Sequence, residues 1–428
     1  MRLTKLAPRL SGAVLTVSAL VLAPLAGPAA AAPDGPVALT REEGRLGDRV
    51  PQEILRRGGF GGAGGEFAGA LARTRTPGQA ERVASEAGRR LWRQAVARAQ
   101  GRGPAAGDLP RDDDRPLYWA RLSLTRELRL WRPAFALSDG RRAAVLDALE
   151  RGSRGQDSLD FPAGHGVKRV LVTGFDPFQL DDDVRRSNPS GAAALALDGT
   201  VINTPAGPAR VEAAVFPVRW EDFARGTVER TLLPHFRPGP RQVDLFTTIS
   251  QGRPGRFDVE RTNGAWRGGG TDNERLHGGP GMVPVPPGVP TVRPQPQWTR
   301  TTLPYAELAA AATGPYPVRD NTAVTEVPAG STVPVDRPDG PTPGSAARAG
   351  GGGDYLSNEI AYRATLLRDA TGLAVPGGHL HTPVLRFGAD NGSPSGRVTD
   401  PEFERNRREI TAQVRALVGV AAGTLRQR

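Results

Sequence analysis

The sequence predicts an α/β fold, a three-layer sandwich with a largely parallel sheet, preceded by a small helical N-terminal region. Two observations carry this. From Lys168 onward, short β-branched apolar runs alternate with helical patterns, as strands joined by covering helices do. Before about Gly166, apolar residues recur at helical spacing instead. In open α/β sheets the sites lie beyond the carboxyl ends of the strands. Three predicted strand ends carry polar or glycine-rich loops, after Val172, Ile249 and Leu380.

The elements follow in chain order. Arg2, Lys5 and Arg9 precede an apolar run from Leu10 to Leu25, and Ala29–Ala32 offers an A-x-A cleavage site, so residues 1–31 read as a signal peptide. Residues 32–166 form the helical region. Gln79–Gln100 stacks Val83, Ala87, Leu91 and Ala95 on one face behind a Thr76-Pro77 start. Leu117–Trp131 aligns Leu117, Leu124, Leu128 and Trp131. Ser138 caps a third helix that stops at Gly152, and polar, glycine-containing residues 152–166 read as a linker. Residues 167–428 form the α/β domain. Strands are expected at Lys168–Phe175, Val211–Phe216 and Val243–Ile249, with a further short strand ended by Gly377–Pro383. Helices are expected at Pro189–Leu197, Trp220–His235 and Glu359–Leu367, and after Thr399-Asp400-Pro401. Residues from Met282 to about Arg348 are rich in proline and glycine and read as an insertion or surface loop, helical only at Tyr305–Ala312.

Composition narrows the partners. The chain has no cysteine, which removes disulfides, thiol nucleophiles and thiolate ligands. Its charge is +11, and loss of Arg2, Lys5 and Arg9 with a signal peptide would leave +8. The bases are almost all arginine, interleaved with acids and not gathered into a stripe, so bulk surface charge is favoured over nucleic-acid binding. No apolar run after the first is long enough to span a bilayer. A secreted protein without a stable membrane span is expected.

Three groups could carry chemistry. Gly350–Gly353 runs through Asp354, Tyr355 and Leu356 into Ser357 and Asn358 at the start of a helix, where backbone N–H groups and the helix dipole favour a nucleophile, an oxyanion or a phosphate. Ser357 by itself reads as a helix N-cap. Glu260 lies in the run Arg256–Asn263. His379 and His381 share one strand face, where a metal is the weaker alternative to ordinary histidines.

Taken in order, these segments resemble the pyroglutamyl peptidase I family (peptidase family C15). Val170–Phe178 with Asn188-Pro189-Ser190 resembles its V-L-V-T-G-F-x-P-F…N-P-S signature. Gln251-Gly252-Arg253 is similar to its G-Q-A-G-G-R turn, Val259-Glu260-Arg261 with Asp272-Asn273 to its E-R-V-A-I-N…P-D-N segment, and Gly378–Pro383 to its G-F-I-H-I-P. The resemblance spans about Lys168 to the C-terminus. It implies removal of N-terminal pyroglutamate from peptides, with no cofactor. His381 would be the general base, Glu260 its orienting acid, and Phe175 and Phe178 the faces holding the lactam ring. Asn188 and Gln251 would lie near the pocket. The family's cysteine position is held here by Ser357. A hydroxyl must lose its proton to the base during attack, where a thiol can ionise beforehand. Asp354 beside it would disfavour an oxyanion. Two functions are therefore expected: a peptidase with Ser357 as nucleophile, or an inactive relative that binds pyroglutamyl peptides.

Overall fold

The computed structural model describes residues 38–103, 107–161 and 166–426, so the expected signal peptide lies outside it. The helical region holds α1 (Arg41–Gly44), α2 (Arg49–Arg57), α3 (Ala63–Ala72), α4 (Pro77–Ala99), α5 (Arg115–Leu130) and α6 (Asp139–Ser153). The capping chemistry is the expected one at two of them. Thr76 accepts from Gln79 N ahead of Pro77, and Ser138 accepts from Arg141 N. Helices α1 to α3 were not expected. The glycine-rich α3 has poor intrinsic propensity and forms because it buries Phe67 and Leu71.

The seven-stranded sheet contains β1 (Lys168–Phe175), β2 (Thr200–Thr204), β3 (Gly207–Phe216), β4 (Leu245–Gln251), β5 (Phe257–Glu260), β10 (Val318–Asn321) and β14 (Gly377–Thr382), in the order β10-β5-β14-β4-β1-β3-β2. Neighbours in β14-β4-β1-β3 are parallel, as is the β10-β5 pair; β2 and β5 run against their β3 and β14 partners. Alternate residues feed two cores. Val170, Val172, Leu245 and Ile249 join one with the N-terminal helices and α12 (Pro401–Gly423), while Leu171, Phe175, Phe246 and Phe216 join the other with α9 (Thr227–Phe236) and α11 (Leu356–Thr371). Helix α7 (Pro189–Leu197) follows β1 as expected. Among the described residues no helix is long and apolar enough to cross a membrane.

Three expectations are corrected. The stretch Trp220–His235 is not one helix: Gly226 at φ 80° separates α8 (Trp220–Ala224) from α9. The described part of the 152–166 linker is packed down. Arg154 is buried, its carbonyl accepts from Val215 N at 2.9 Å, and Gln156 Nε2 donates to Val215 O. The proline-rich segment has its expected helix but is not otherwise irregular. Within and beside it, β6 (Thr262–Gly264) pairs with β9 (Trp298–Arg300) and β7 (Trp266–Arg267) with β8 (Gly281–Met282). Helix α10 (Tyr305–Ala310) leads to β10 at the edge of the main sheet, and β11 (Val324–Val327) pairs with both β12 (Val335–Arg337) and β13 (Ala346–Ala349). Strands of two to four residues give no periodicity to read.

Buried ion pairs join the helical region to the sheet. Arg121 on α5 donates to both oxygens of Asp176 at 2.8 Å, and Arg154 adds contacts at 2.9 and 3.1 Å. Asp113 holds Arg115, whose guanidinium also reaches the carbonyls of Arg185 and Val398. Burial acts to raise the Asp176 pKa, and the two arginines outweigh it, so the group stays ionised. Replacing Asp176 by Ala takes its carboxylate from buried Arg121 and leaves Arg154 with Glu150 alone, and we expect a loss of about 3–5 kcal/mol. Chemical denaturation measures this; a loss under about 1 kcal/mol would show that the pair does not hold the two parts together.

Candidate functional site

The carboxyl ends of β1, β4 and β14 lie side by side, and the site is built there. Thr173 of β1 registers with Thr248 of β4, and His379 and His381 of β14 register with Thr248 and Ser250. Registered neighbours share a face, so Thr173, Thr248, Ser250, His379 and His381 lie on one face of the sheet. On the other side of β14, Glu260 registers with His379.

Glu260 and His381 meet. Glu260 Oε1 lies 2.7 Å from His381 Nδ1, and both residues are buried. The second carboxylate oxygen accepts from Asn321 Nδ2 at 2.6 Å. Asn321 stands on β10, inside the segment read as an insertion, and sequence reasoning missed it. The glycine run closes over this pair. A Cβ at Gly351 would lie 2.0 Å from Glu260 Oε2, and one at Gly352 3.0 Å from His381 Cε1, so the loop approaches this closely only without side chains.

The protons can be followed along the row. Glu260 accepts at His381 Nδ1, so in the singly protonated ring Nε2 is the acceptor. His379 Nε2 lies 3.4 Å from that atom, and His379 Nδ1 lies 2.7 Å from Thr248 Oγ1. With Thr248 donating to His379, His379 donates to His381 and His381 to Glu260; Gly378 O, at 3.3 Å, is the other acceptor within reach of the Thr248 hydroxyl. The two rings meet edge to face with centroids 4.6 Å apart. Burial first, and the neighbouring His381 second, hold the His379 pKa well below its ordinary 6.5 and keep the ring neutral. Among the described residues no group of three or more His, Cys, Asp or Glu is arranged to hold a metal ion.

Ser357 does not cap the helix. Tyr355 occupies the N-cap position, and Ser357 lies one residue into α11, where its hydroxyl donates to Gly352 O at 3.0 Å. Gly352 thus meets both the serine hydroxyl and the histidine ring. Asn358 fixes this turn, exchanging hydrogen bonds with the N–H and carbonyl of Gly264 at 2.9 Å.

Beside Ser357 lies a cavity of about 40 Å³. Phe175, Phe178, Asn188 and Gln251 all line it together with Ser357, so the structure gathers these five expected residues around one space. Glu260 and His381 are not in its lining. Phe175 stacks on Phe223 at 6.0 Å and 12° and presents an aromatic wall. Asn188 is largely committed elsewhere. Its amide donates to Asp176 O at 2.9 Å and its oxygen accepts from Ser190 N and Oγ, so it holds the loop in place. Gln251 Oε1 accepts from Leu385 N. Sequence reasoning missed Val218, Ser250, Tyr355 and Leu356 in the same lining. Tyr355 donates to Thr271 O and packs edge-on against Trp220; its place next to the glycine run was the available signal. Asp354 is exposed, and its carbonyl accepts from Gly268 N.

These features define an α/β protein with a helical N-terminal region, in which a buried Glu–His pair stands near an aromatic cavity at the strand ends. The chain belongs to the PA0049 family. A model of the PA0049 N-terminal domain matches residues 26–150, and one of the C-terminal domain matches 169–293 and 315–386. The chain is 36% identical to the uncharacterized protein PA0049 of Pseudomonas aeruginosa over 469 aligned positions, which cover 87% of this chain and 85% of that protein. All seven expected site residues fall within the C-terminal match.

The neutrality of His379 has a measurable consequence. Its folded pKa lies below the unfolded value, so the unfolded chain takes up a proton near pH 6.5 that the folded chain refuses. Stability from this residue is present above that pH and falls as the solution is acidified, by up to about 1.4 kcal/mol per pH unit. His379→Leu should flatten this part of the profile. Denaturation midpoints between about pH 7 and 5 decide it, and identical slopes for both proteins would refute the assignment.

Proposed function

We propose that this chain recognises the N-terminal pyroglutamyl residue of peptides, as an exported pyroglutamyl-peptidase-like protein. The observation that carries the reading is the cavity shared by Phe175, Phe178, Asn188, Gln251 and Ser357. A flat lactam suits aromatic walls with polar groups at its edge. Export is supported by the basic and apolar character of the first residues. The sheet is read as the middle layer of a three-layer sandwich, supported by the two cores on its alternate residues.

The resting geometry favours binding over turnover. In hydrolysis His381 Nε2 would take the Ser357 proton as Oγ attacks the carbonyl carbon of the pyroglutamyl–peptide bond, with Glu260 holding Nδ1–H; the proton would pass to the departing amine as the C–N bond breaks, and water would then release pyroglutamate from the serine ester. Here the Ser357 proton goes to Gly352 O, and His381 Nε2 faces His379 Nε2. A second reading, slow hydrolysis by Ser357, is favoured by one observation: the Glu260–His381 contact of 2.7 Å is already made.

Calorimetry with a pyroglutamyl peptide, beside release of a fluorophore from a pyroglutamyl amide, tests both. We expect binding with little or no turnover in the unaltered chain, and a gain of amidase activity on Ser357→Cys that His381→Ala removes. Absence of binding defeats the proposal. Turnover by the unaltered chain that Ser357→Ala and His381→Ala each abolish would replace it with the second reading.

A further inference from the structure

We infer that Ser250 is the side chain with which the cavity reads the amide of a lactam ring, an inference that rests on the pyroglutamyl reading of that cavity. Ser250 is the sixth residue of β4 and is 3% exposed. Strand alternation puts it on the face of Phe246 and Thr248, and Phe246 lies in the core that includes Phe175 and Leu356. Phe175 and Leu356 are themselves cavity walls, and Ser250 is in the same lining.

Among the hydroxyls of the cavity lining, that of Ser250 is set apart; Thr173 Oγ1, also unpartnered, is on the same sheet face but outside that lining. The equivalent group two residues earlier, Thr248 Oγ1, is engaged with His379. Ser357 Oγ is engaged with Gly352. Ser250 Oγ is buried without a hydrogen-bond partner. A buried polar group left unmatched costs stability, and a ligand that matched it would recover that cost. A hydroxyl both donates and accepts, so it can serve the carbonyl or the N–H edge of a lactam. A ring of the same size without that amide would fill the space and leave the hydroxyl unmatched. Ser250 therefore discriminates chemistry where Phe175 and Phe178 discriminate shape.

The test compares two peptides of one sequence. One begins with pyroglutamate and the other with a cyclopentanecarbonyl cap, which keeps the ring and lacks the lactam amide. Calorimetry on the full chain and on Ser250→Ala gives four affinities. We expect the unaltered chain to prefer the pyroglutamyl peptide. Ser250→Ala should weaken that peptide on the order of two- to tenfold, the worth of one neutral hydrogen bond, and leave the capped peptide unchanged. The melting temperature of Ser250→Ala should hold or rise, because removing an unmatched hydroxyl removes no bond. Equal affinity for both peptides in the unaltered chain, equal weakening of both by Ser250→Ala, or no weakening of the pyroglutamyl peptide each overturns the inference. A lowered melting temperature does too, since it marks the hydroxyl as structural. If the unaltered chain binds neither peptide, the pyroglutamyl reading itself fails, a result distinct from an insensitive variant.

Discussion

The arrangement depends on one buried carboxylate. Asp176 follows the last residue of β1, and each of its polar groups is tied in a different direction. Its N–H donates to Phe216 O at 3.0 Å, its carbonyl accepts from Asn188 Nδ2 at 2.9 Å, and its carboxylate takes Arg121 and Arg154. The flanking Phe175 and Phe178 are thereby set against the cavity. A carboxylate in this position would be costly alone, and both compensating cations come from the N-terminal half of the chain. The helical region is therefore part of how the pocket wall is held. From Ala38 onward the two family matches, separate in sequence, lie in one compact unit.

A second constraint acts from above the sheet. The glycine run must come close enough to Glu260 and His381 that side chains are excluded at Gly351 and Gly352. Asn358 anchors one end of the run to β6, and Asn321 of β10 meets both Glu260 Oε2 and, at 3.3 Å, Gly351 O. The edge strand thus serves the site. It keeps the second oxygen of a fully buried carboxylate satisfied, so that the first can hold His381 in one orientation.

Much of this was legible in the sequence, for physical reasons that differ by element. Helices α4 and α5 and strands β1 and β4 carry long periodic or continuous apolar patterns, and their limits agree closely with expectation. Five residues named from separate sequence segments line one cavity. What was hidden depends on pairing across distance. Nothing in the local pattern says that Arg121, Arg154 and Asp113 are buried, because an arginine on a helix looks solvated until its partner is known. Asn321 and Ser250 were hidden likewise. One sits on a four-residue edge strand, and the other is an ordinary serine until its neighbours prove to be engaged. Ser357 read as a cap because serine often is one, but the backbone turns two residues earlier, at Tyr355.

The polar groups around Ser357 also indicate what limits the site's chemistry. In a working nucleophile–base pair the two groups satisfy each other. Here each has a separate partner, the serine in Gly352 O and the histidine in His379. Neutral hydrogen bonds contribute about 0.5–1.5 kcal/mol each, so exchanging both for a serine–histidine bond would slow reaction by roughly a hundredfold at most. On the proposed reading the serine itself weighs more, since a hydroxyl gives up its proton only in the course of attack, where a thiol beside an imidazole and a helix N-terminus does so beforehand. On the proposed reading, then, the oxygen at position 357 separates recognition from turnover more than the orientation of His381 does. The cavity walls flanking Asp176 can be intact for a ligand while the chemistry is not.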